Sequence, residues 1–342
     1  MAQPVLDQWS VSEQDYPRSG TAAEQLRFLL GYAVLAPSSH NAQPWHFRIR
    51  GDELDVLVDR TRALEVLDPE HRELVISCGA ALFLLRVAMR YFGREPIVAV
   101  LPSYEEPDLV AVVKLGPERD RTVEDELLFR AIPERHTNRL ATDERPLPPA
   151  LVLAMKDAAR QERAWLRSVE EAPQREQVAA LIAEGDRRLF ADREYRRELV
   201  AWMRPNDEAA RDGVPGFAYG LPDLVAPMGT RLVEMFNSGR LTGFRDRRLA
   251  LNAPALVVLG TAQDAPKSWL AAGQALGRVL LQAAARGVWS SHMNQPIQLP
   301  ELRESLKQAL GLDGYPHLIL RLGHGDPLPH TPRRSVDEVL ID

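Results

Sequence analysis

Residues 36 to 45 read Ala36-Pro37-Ser38-Ser39-His40-Asn41-Ala42-Gln43-Pro44-Trp45 and join a predicted helix to a predicted strand. Upstream, apolar residues recur at helical spacing from Thr21 to Ala36, and Pro37 marks the end of that helix. Small hydroxyl and amide side chains between prolines can present several hydrogen-bonding groups to a flat polar ring. A capped helix end with an Asx turn would use the same residues. Residues 37–43 are therefore a candidate ligand loop, which we call the ring loop.

The residues after the ring loop predict a mixture of strands and helices. Two strands flank Gly51-Asp52, a pair that is typical of a two-residue hairpin turn. A long helix, apolar almost all round, covers Leu74 to Phe92 and is followed by a glycine. Strands are predicted at Ile97 to Leu101 and at Leu109 to Leu115. We interpret residues 1–117 as one half of the molecule.

The remaining residues, 118–342, repeat this order of elements after a charged link at 118–126. Four positions of the first long helix and its end recur at constant spacing: Gly79, Ala81, Leu82 and Gly93 correspond to Gly273, Ala275, Leu276 and Gly287. Strand Leu109 to Leu115 likewise resembles His317 to Leu322. Four identities among common residues are weak, whereas the shared order of elements favours an internal duplication.

The second half also contains an insertion of amphipathic helices, predicted at about Val178 to Phe244. In its middle, residues 213–220 are rich in glycine and proline and belong to a loop at about 205–223. A flap that covers a site and a plain surface loop are equally compatible with this composition.

Composition excludes several classes of function. The chain of 342 residues has a net charge of −6, which disfavours a general nucleic-acid or anionic-membrane surface. Residues 1–20 lack the basic and then apolar layout of a secretory signal, and no run approaches roughly 18 apolar residues. The single cysteine, Cys78, cannot form an internal disulfide. We expect a cytoplasmic protein with no nucleic-acid or membrane partner, and no histidine spacing predicts a metal site.

Two short basic runs are candidates for anion binding. Arg135-His136-Thr137-Asn138-Arg139 follows a predicted helix from Thr122 to Ile132 and places two guanidinium groups around a hydroxyl. If this run is helical, both arginines face one side. Guanidinium forks and a hydroxyl match the acceptor oxygens of a phosphate monoester, although a solvated basic turn would have the same residues. Arg333-Arg334 offers a second cluster or a solvated tail.

Together these runs resemble the motifs of the nitroreductase superfamily. The ring loop resembles the signature that contacts the ring of flavin mononucleotide (FMN) across a dimer interface. The run from Arg135 to Arg139 resembles the basic-hydroxyl-basic phosphate motif, with Thr137 where serine is most frequent. Gly287-Val288-Trp289-Ser290-Ser291-His292-Met293-Asn294 resembles the segment beside the reactive edge of the flavin, and Arg333-Arg334 resembles the C-terminal basic pair. The resemblance spans about Thr21 to Asp342 and is to the Acg-like branch, in which internal duplication is expected.

The resemblance implies an α+β nitroreductase fold, in which two fused half-repeats form an intramolecular pseudo-dimer with antiparallel-rich sheets flanked by helices. The first half keeps the ring loop and lacks the phosphate motif, and the second half does the reverse, so one FMN site is expected. The implied phosphate contacts are Arg135, Thr137, Arg139, Arg333 and Arg334, with His136 in the same run. The implied ring contacts are Pro37, Ser38, Ser39, Asn41 and Gln43, with His292, Met293 and Asn294 near the pyrimidine or N5 edge.

The function implied by the resemblance is an FMN-dependent oxidoreductase. Hydride would pass through flavin N5 to small electron-poor substrates such as nitroaromatics or quinones, with NADH or NADPH as reductant, and no catalytic side chain is required. A flavin store with little nicotinamide-dependent turnover is the alternative, and a scaffold with a decayed site is a third possibility. We expect a monomer, because the usual dimer surface is already used inside the chain.

Overall fold

The computed structural model describes residues 8–206, 210–220, 233 and 235–342, and its first half contains the predicted helices and strands. Helix α1 (Ala22–Ala33) begins at a capping box, in which the Thr21 side chain and Glu24 satisfy each other's backbone amides. Strands β1 (Trp45–Arg50) and β2 (Glu53–Val58) pair antiparallel across a two-residue turn. The other elements of this half are α2 (Arg72–Tyr91), β3 (Arg94–Val100) and β4 (Leu109–Glu118).

The second half is longer and richer in helices. Its helices are α3 (Val123–Glu134), α4 (Pro149–Gln161), α5 (Ala172–Ala191), α6 (Arg193–Ala201), α7 (Gly239–Asn252), α8 (Pro266–Ala284), α9 (Gln295–Gln298), α10 (Pro300–Leu310) and α11 (Val336–Val339). Its strands are β5 (Trp165–Ser168), β6 (Met203–Arg204), β7 (Val214–Pro215), β8 (Ala255–Thr261), β9 (Trp289–His292), β10 (Tyr315–Gly323) and β11 (Leu340–Ile341).

The two main sheets share one strand order. The first sheet runs β11-β1-β2-β4-β3 and the second runs β5-β8-β10-β9. Without β11, each sheet places its own first, second, fourth and third strands side by side, and every pair within these two sets is antiparallel. Strand β11 joins the first sheet parallel to β1, with Phe47 opposite Leu340. The C-terminus of the second half therefore completes the sheet of the first, as expected of two fused repeats.

Helices α2 and α8, which occupy equivalent places in the two halves, cross at a pair of glycines. A Cβ atom on Gly273 would lie 2.0 Å from the carbonyl oxygen of Ile76 and 2.8 Å from the Cα atom of Gly79. A Cβ atom on Gly79 would lie 2.3 Å from the carbonyl oxygen of Leu270. Because no other residue permits such close backbone approach, the repeated glycines seen in the sequence mark the contact between the halves.

The sequence was expected to contain no run long and apolar enough to span a membrane. Helix α2 corrects this expectation, because its length and composition would allow it to do so. An 18-residue window of Arg72–Tyr91 has a mean hydropathy of 1.6, but 89% of that window is buried inside the protein. A helix that is hydrophobic all round is typical of the core of a large protein as well as of a membrane. Here the surrounding α1, α3 and α8 cover it.

The insertion is longer than predicted. Measured by the repeated strand order, it lies between β5 and β8, where the first half has only the turn after β1. It includes α5, which begins at Ala172 rather than near Val178, and the whole of α7, which continues beyond Phe244 to Asn252. Part of the loop predicted at 205–223 lies outside the described residues.

A candidate ligand site between the two halves

A cavity of about 360 Å³ lies where the two halves meet the insertion, a volume within the range of small-molecule sites. The first half contributes the ring loop through Pro37 to His40 and helix α2 through Glu73, Ile76 and Ser77. The second half contributes Arg139 and residues 291–295. Other lining residues come from the insertion and include Asp186, Tyr195, Leu199, Met203, Tyr219, Thr242 and Asp246. The predicted ring loop and the last arginine of the basic run therefore share one cavity.

The ring loop has an unusual backbone. His40, Asn41 and Gln43 have φ values of 50°, 55° and 52°, in the left-handed region that residues other than glycine adopt at a cost. The hydroxyl of Ser38 accepts a hydrogen bond from the backbone N–H of Gln43 at 2.9 Å. Strained backbone that persists must be held by its surroundings, and it often lies at functional sites.

The side chains of Asn41 and Gln43 hold this strained backbone in place, and neither lines the cavity. The Nδ2 atom of Asn41 donates to the carbonyl oxygens of Gly213, at 2.9 Å, and Pro332, at 3.0 Å. The Nε2 atom of Gln43 donates to the carbonyl oxygen of Arg211 at 2.9 Å. Their side chains thus bind the ring loop to the insertion and to the C-terminal segment, whereas the resemblance had placed them against a ligand ring.

The basic run is extended, so the helical turn that would place its two arginines on one side is not formed. Helix α3 ends at Glu134, and Thr137 forms a parallel bridge with Ser290 beside strand β9. Arg139 lines the cavity, with its guanidinium carbon 5.1 Å from the centre of the Tyr219 ring. Arg135 is buried and does not line the cavity.

Arg135 and Arg333 form a buried cationic pair. Their side chains donate to the same carbonyl oxygen, that of Leu35, at 3.4 and 3.5 Å. Burial lowers the pKa of Arg135 to about 10, and burial together with Arg135 lowers the pKa of Arg333 well below its ordinary value. Within residues 8–206, 210–220 and 235–342 neither forms a salt bridge, and Nε of each has no hydrogen-bond partner. An anion would relieve this uncompensated charge.

Two other residues of the predicted phosphate site have different surroundings. His136 packs its ring against Trp289, with 4.0 Å between the ring centres, and does not line the cavity. Arg334 donates to the carbonyl oxygens of Gln43 and Glu338, at 3.2 and 2.7 Å, and lies 3.5 Å from the Asp59 carboxylate. Both side chains therefore support neighbouring segments of the protein and do not face the cavity.

The predicted segment after α8 does line the cavity, at His292, Met293 and Asn294. The Oδ1 atom of Asn294 accepts a hydrogen bond from the backbone N–H of Ile319 at 2.9 Å, which fixes this side chain. Burial, followed by Arg139 and Arg135, lowers the pKa of His292 to about 4. Burial and Arg139 lower the pKa of His40 to about 4 as well. Both imidazoles are consequently neutral at pH 7, and Nε2 of His40 has no partner within the described residues.

Several polar groups in the wall were missed by sequence reasoning. Glu73, at the start of α2, accepts hydrogen bonds from the Ser39 hydroxyl and, at 3.1 Å, from Nε2 of Gln298. Asp186 and Asp246 come from the insertion, on helices whose charged residues are typical of a solvated surface. No spacing in the sequence distinguishes these acids from the exposed acids on the same elements.

Comparison with known proteins identifies the family. No family model matches the chain. A protein of Mycobacterium tuberculosis H37Rv, named "Putative NAD(P)H nitroreductase Rv3131", is 32% identical over 323 residues, which cover 93% of this chain and 91% of that relative. The chain belongs to the nitroreductase family. Among its nitroreductase relatives, Acg of M. tuberculosis is 26% identical over 94% of this chain and 97% of its own length. "Probable NAD(P)H nitroreductase PigM" of Serratia sp. is 27% identical, with 94% of each chain covered.

Solved nitroreductase structures also align with this nitroreductase-family chain. The FMN- and NADPH-dependent nitroreductase NfnB of sphigopyxis sp. strain HMH aligns with a TM-score of 0.42 and 20% identity, covering 63% of this chain and 97% of the solved chain. NfnB of Mycobacterium smegmatis, solved in complex with NADPH, aligns with a TM-score of 0.41 and 16% identity, covering 62% and 96%.

Proposed function

We propose that this protein binds one FMN per chain in the cavity between its halves and acts as an FMN-dependent oxidoreductase of the nitroreductase type. The observation that carries the proposal is the meeting of the ring loop with Arg139 around a single cavity. Family membership supports it, because relatives are named NAD(P)H nitroreductases and solved nitroreductases are described as FMN-dependent.

The donor set of the chain fits FMN. Arg135 and Arg333 do not line the cavity, but they offer guanidinium nitrogens without partners among the described residues, and a phosphate dianion that reached them would supply the missing acceptors. Thr137 follows Arg135 by two residues and does not line the cavity, whereas Arg139 faces it. Ser38 and Ser39, with the unpartnered Nε2 of His40, would contact the polar groups of the ring. His292, Met293 and Asn294 would line its pyrimidine or N5 edge.

When bound, FMN would supply hydride transfer through N5, from NADH or NADPH to small electron-poor acceptors such as nitroaromatics or quinones. The residues of the chain orient the ring, exclude water and keep the two imidazoles neutral. Asn41 and Gln43 act on the ligand indirectly, because they hold the ring loop in its strained conformation.

The visible spectrum of the purified protein, with FMN quantified per chain, tests this proposal. We expect a flavin spectrum and a ratio near one, because each half supplies only part of the site. Anaerobic stopped-flow mixing with NADH or NADPH should then bleach the flavin before an added quinone restores it. A colourless protein that ignores added FMN would contradict the proposal, and a ratio of two would contradict the composite site.

A flavin store is the second candidate, and the position of the insertion favours it. Leu199, Met203 and Tyr219 all line the cavity from the insertion, and Asn41 binds this region to the ring loop through Gly213. Such a cover would oppose the entry of a nicotinamide ring. Flavin that is bound at one per chain, but is not reduced over minutes by either dinucleotide, would support storage and exclude nicotinamide-dependent turnover.

A further inference from the structure

Two carboxyl groups of the insertion share one amide in the cavity wall. The Nε2 atom of Gln295 donates to Oδ1 of Asp186 and to Oδ2 of Asp246, in both cases at 3.1 Å. All three residues line the cavity. Asp186 is on α5, Asp246 is on α7 and Gln295 begins α9. We call these three residues the carboxyl cluster.

Close helix packing brings the carboxyl cluster together. A Cβ atom on Gly185 would lie 2.6 Å from the Cβ atom of Gln295, so only glycine allows α5 to approach α9 here. A Cβ atom on Gly243 would lie 2.7 Å from the carbonyl oxygen of Ala183, which has the same consequence for α5 and α7. The juxtaposition of the two acids therefore follows from the backbone and not from chance side-chain rotamers.

The carboxyl cluster lacks a counter-ion in direct contact. Asp186 is only 2% exposed, its Oδ2 atom has no hydrogen-bond partner among the described residues, and neither acid forms a salt bridge there. Two arginines lower the pKa values of the acids through their charge: Arg245 acts on both, and Arg321 acts on Asp246. Arg245 points its guanidinium at the carbonyl oxygen of Arg139, and that of Arg321 donates to the carbonyl oxygen of Leu140.

Two neighbouring buried carboxyl groups cannot both ionise readily at neutral pH. Burial and then Asp246 raise the pKa of Asp186 to about 8, and burial raises the pKa of Asp246. The phenol of Tyr195, also in the wall, stays protonated because burial and the nearby Asp186 raise its pKa. The pair consequently keeps one proton at pH 7. A proton on Oδ2 of Asp186 would have no hydrogen-bond acceptor among the described residues.

We propose that the carboxyl cluster is an internal acid, which supplies the proton that must accompany each hydride delivered to a two-electron acceptor in the cavity. This inference rests on the proposed oxidoreductase function. Gln295 directly follows the wall residues His292, Met293 and Asn294, so the cluster adjoins the segment that we place beside the flavin. The insertion then has a chemical role in addition to covering the cavity.

Reduction of a quinone illustrates the step. With FMN bound, hydride delivered to the quinone would form an O–H bond at one carbonyl oxygen and leave a negative charge on the other. The carboxyl O–H bond of the cluster breaks, its proton forms the second O–H bond, and a hydroquinone leaves. The carboxylate then regains a proton from solvent, so that one hydride and one proton are consumed for each quinone.

The test compares two electron acceptors on chemically reduced protein, so that no nicotinamide is needed. A benzoquinone takes up a proton with its electrons, whereas ferricyanide takes up none. For Asp186→Asn and Asp246→Asn we expect quinone reduction to slow by about 10-fold to 100-fold, with ferricyanide rates within about 2-fold of the unchanged protein. Asp157→Asn, at an exposed position on α4, is the matched control. Wild-type quinone rates should fall above about pH 8, and the variants should lose that pH dependence.

Unchanged quinone rates, or equal slowing with both acceptors, would overturn the inference, because the second result indicates a merely structural role. Infrared difference spectra provide a readout that needs no turnover. A protonated-carboxyl band that is lost in Asp186→Asn should be present at pH 7, apart from any band of Asp68, whose pKa is also raised, and its absence from the flavin-loaded protein would also overturn the inference. A protein that binds no flavin would instead defeat the proposed function, while the infrared band would still report the state of the pair.

Discussion

Arg139 is the residue at which the two halves of the proposed site meet, because it faces the cavity beside the ring loop. A charged hydrogen bond contributes roughly 1.5 to 3 kcal/mol, so we predict that Arg139→Ala weakens FMN binding by about 10-fold to 100-fold. Flavin-fluorescence titration measures this. Arg145→Ala is the control, since Arg145 is exposed and pairs with the nearby Asp143. Equal affinity of both variants would remove Arg139 from the site.

Asn41 is expected to affect FMN binding indirectly. Its side chain does not line the cavity, but it contacts Arg333 and Gly213. Its Oδ1 atom accepts a hydrogen bond from Arg333 at 2.8 Å, and its Nδ2 atom holds Gly213. Asn41→Ala should weaken FMN binding by about 10-fold, since it releases both Arg333 and the strained loop. Added inorganic phosphate should compete with FMN less effectively in this variant. Full FMN affinity would show that the loop needs no such tether.

The buried acids predict how stability depends on pH. The pKa of Asp186 is raised to about 8 and that of Asp68 to about 7, so at these two acids the folded protein binds more protons than the unfolded chain between about pH 4 and 8. The contribution of these two acids to stability should therefore fall as pH rises through this window. We predict that Asp186→Asn is roughly 1–3 kcal/mol more stable than wild type at pH 8 and nearly equal at pH 4. Urea unfolding at both pH values checks this, and a parallel pH profile would contradict it.

At the scale of elements, the crossing of α2 and α8 depends on Gly79 and Gly273. A methyl group at position 273 would meet the backbone of α2, which cannot yield as a flexible side chain can. We predict that Gly273→Ala lowers the free energy of unfolding by roughly 1–3 kcal/mol or more. Gly31→Ala on α1 is the matched control, because its methyl group would meet only the Val11 side chain, at 3.3 Å, and it gains helix propensity. Similar stability of the two variants in denaturant unfolding would contradict this account of the crossing.

At the scale of the whole molecule, the halves depend on each other. Helix α2 is covered by α8, and β11 of the second half completes the first sheet. We predict that residues 1–117 expressed alone aggregate, whereas co-expression with 118–342 gives a one-to-one complex that binds one FMN. Size-exclusion chromatography with light scattering measures this and should show the intact chain as a monomer. A soluble, folded first half on its own would contradict the fused-dimer interpretation.

Local patterns in the chain were enough to locate most elements and part of the cavity wall. Helical periodicity marked α2 within two residues at its start, Gly51-Asp52 marked the first hairpin, and the repeated glycines marked the helix crossing. These features depend on a few adjacent residues, because periodicity, turn chemistry and close backbone approach leave their mark in neighbouring positions. The ring loop and Arg139 could be singled out for the same reason.

Contacts between distant segments could not be read in this way. The pairing of Arg135 with Arg333, the tether from Asn41 to Gly213 and the joining of Asp186 to Asp246 through Gln295 each unite residues far apart along the chain. Whether a charge is solvated, paired or buried without a counter-ion depends on which segments pack around it. Only the folded chain therefore distinguishes the acids of the cavity from acids that face water, and arginines that line the cavity from arginines that support the loop.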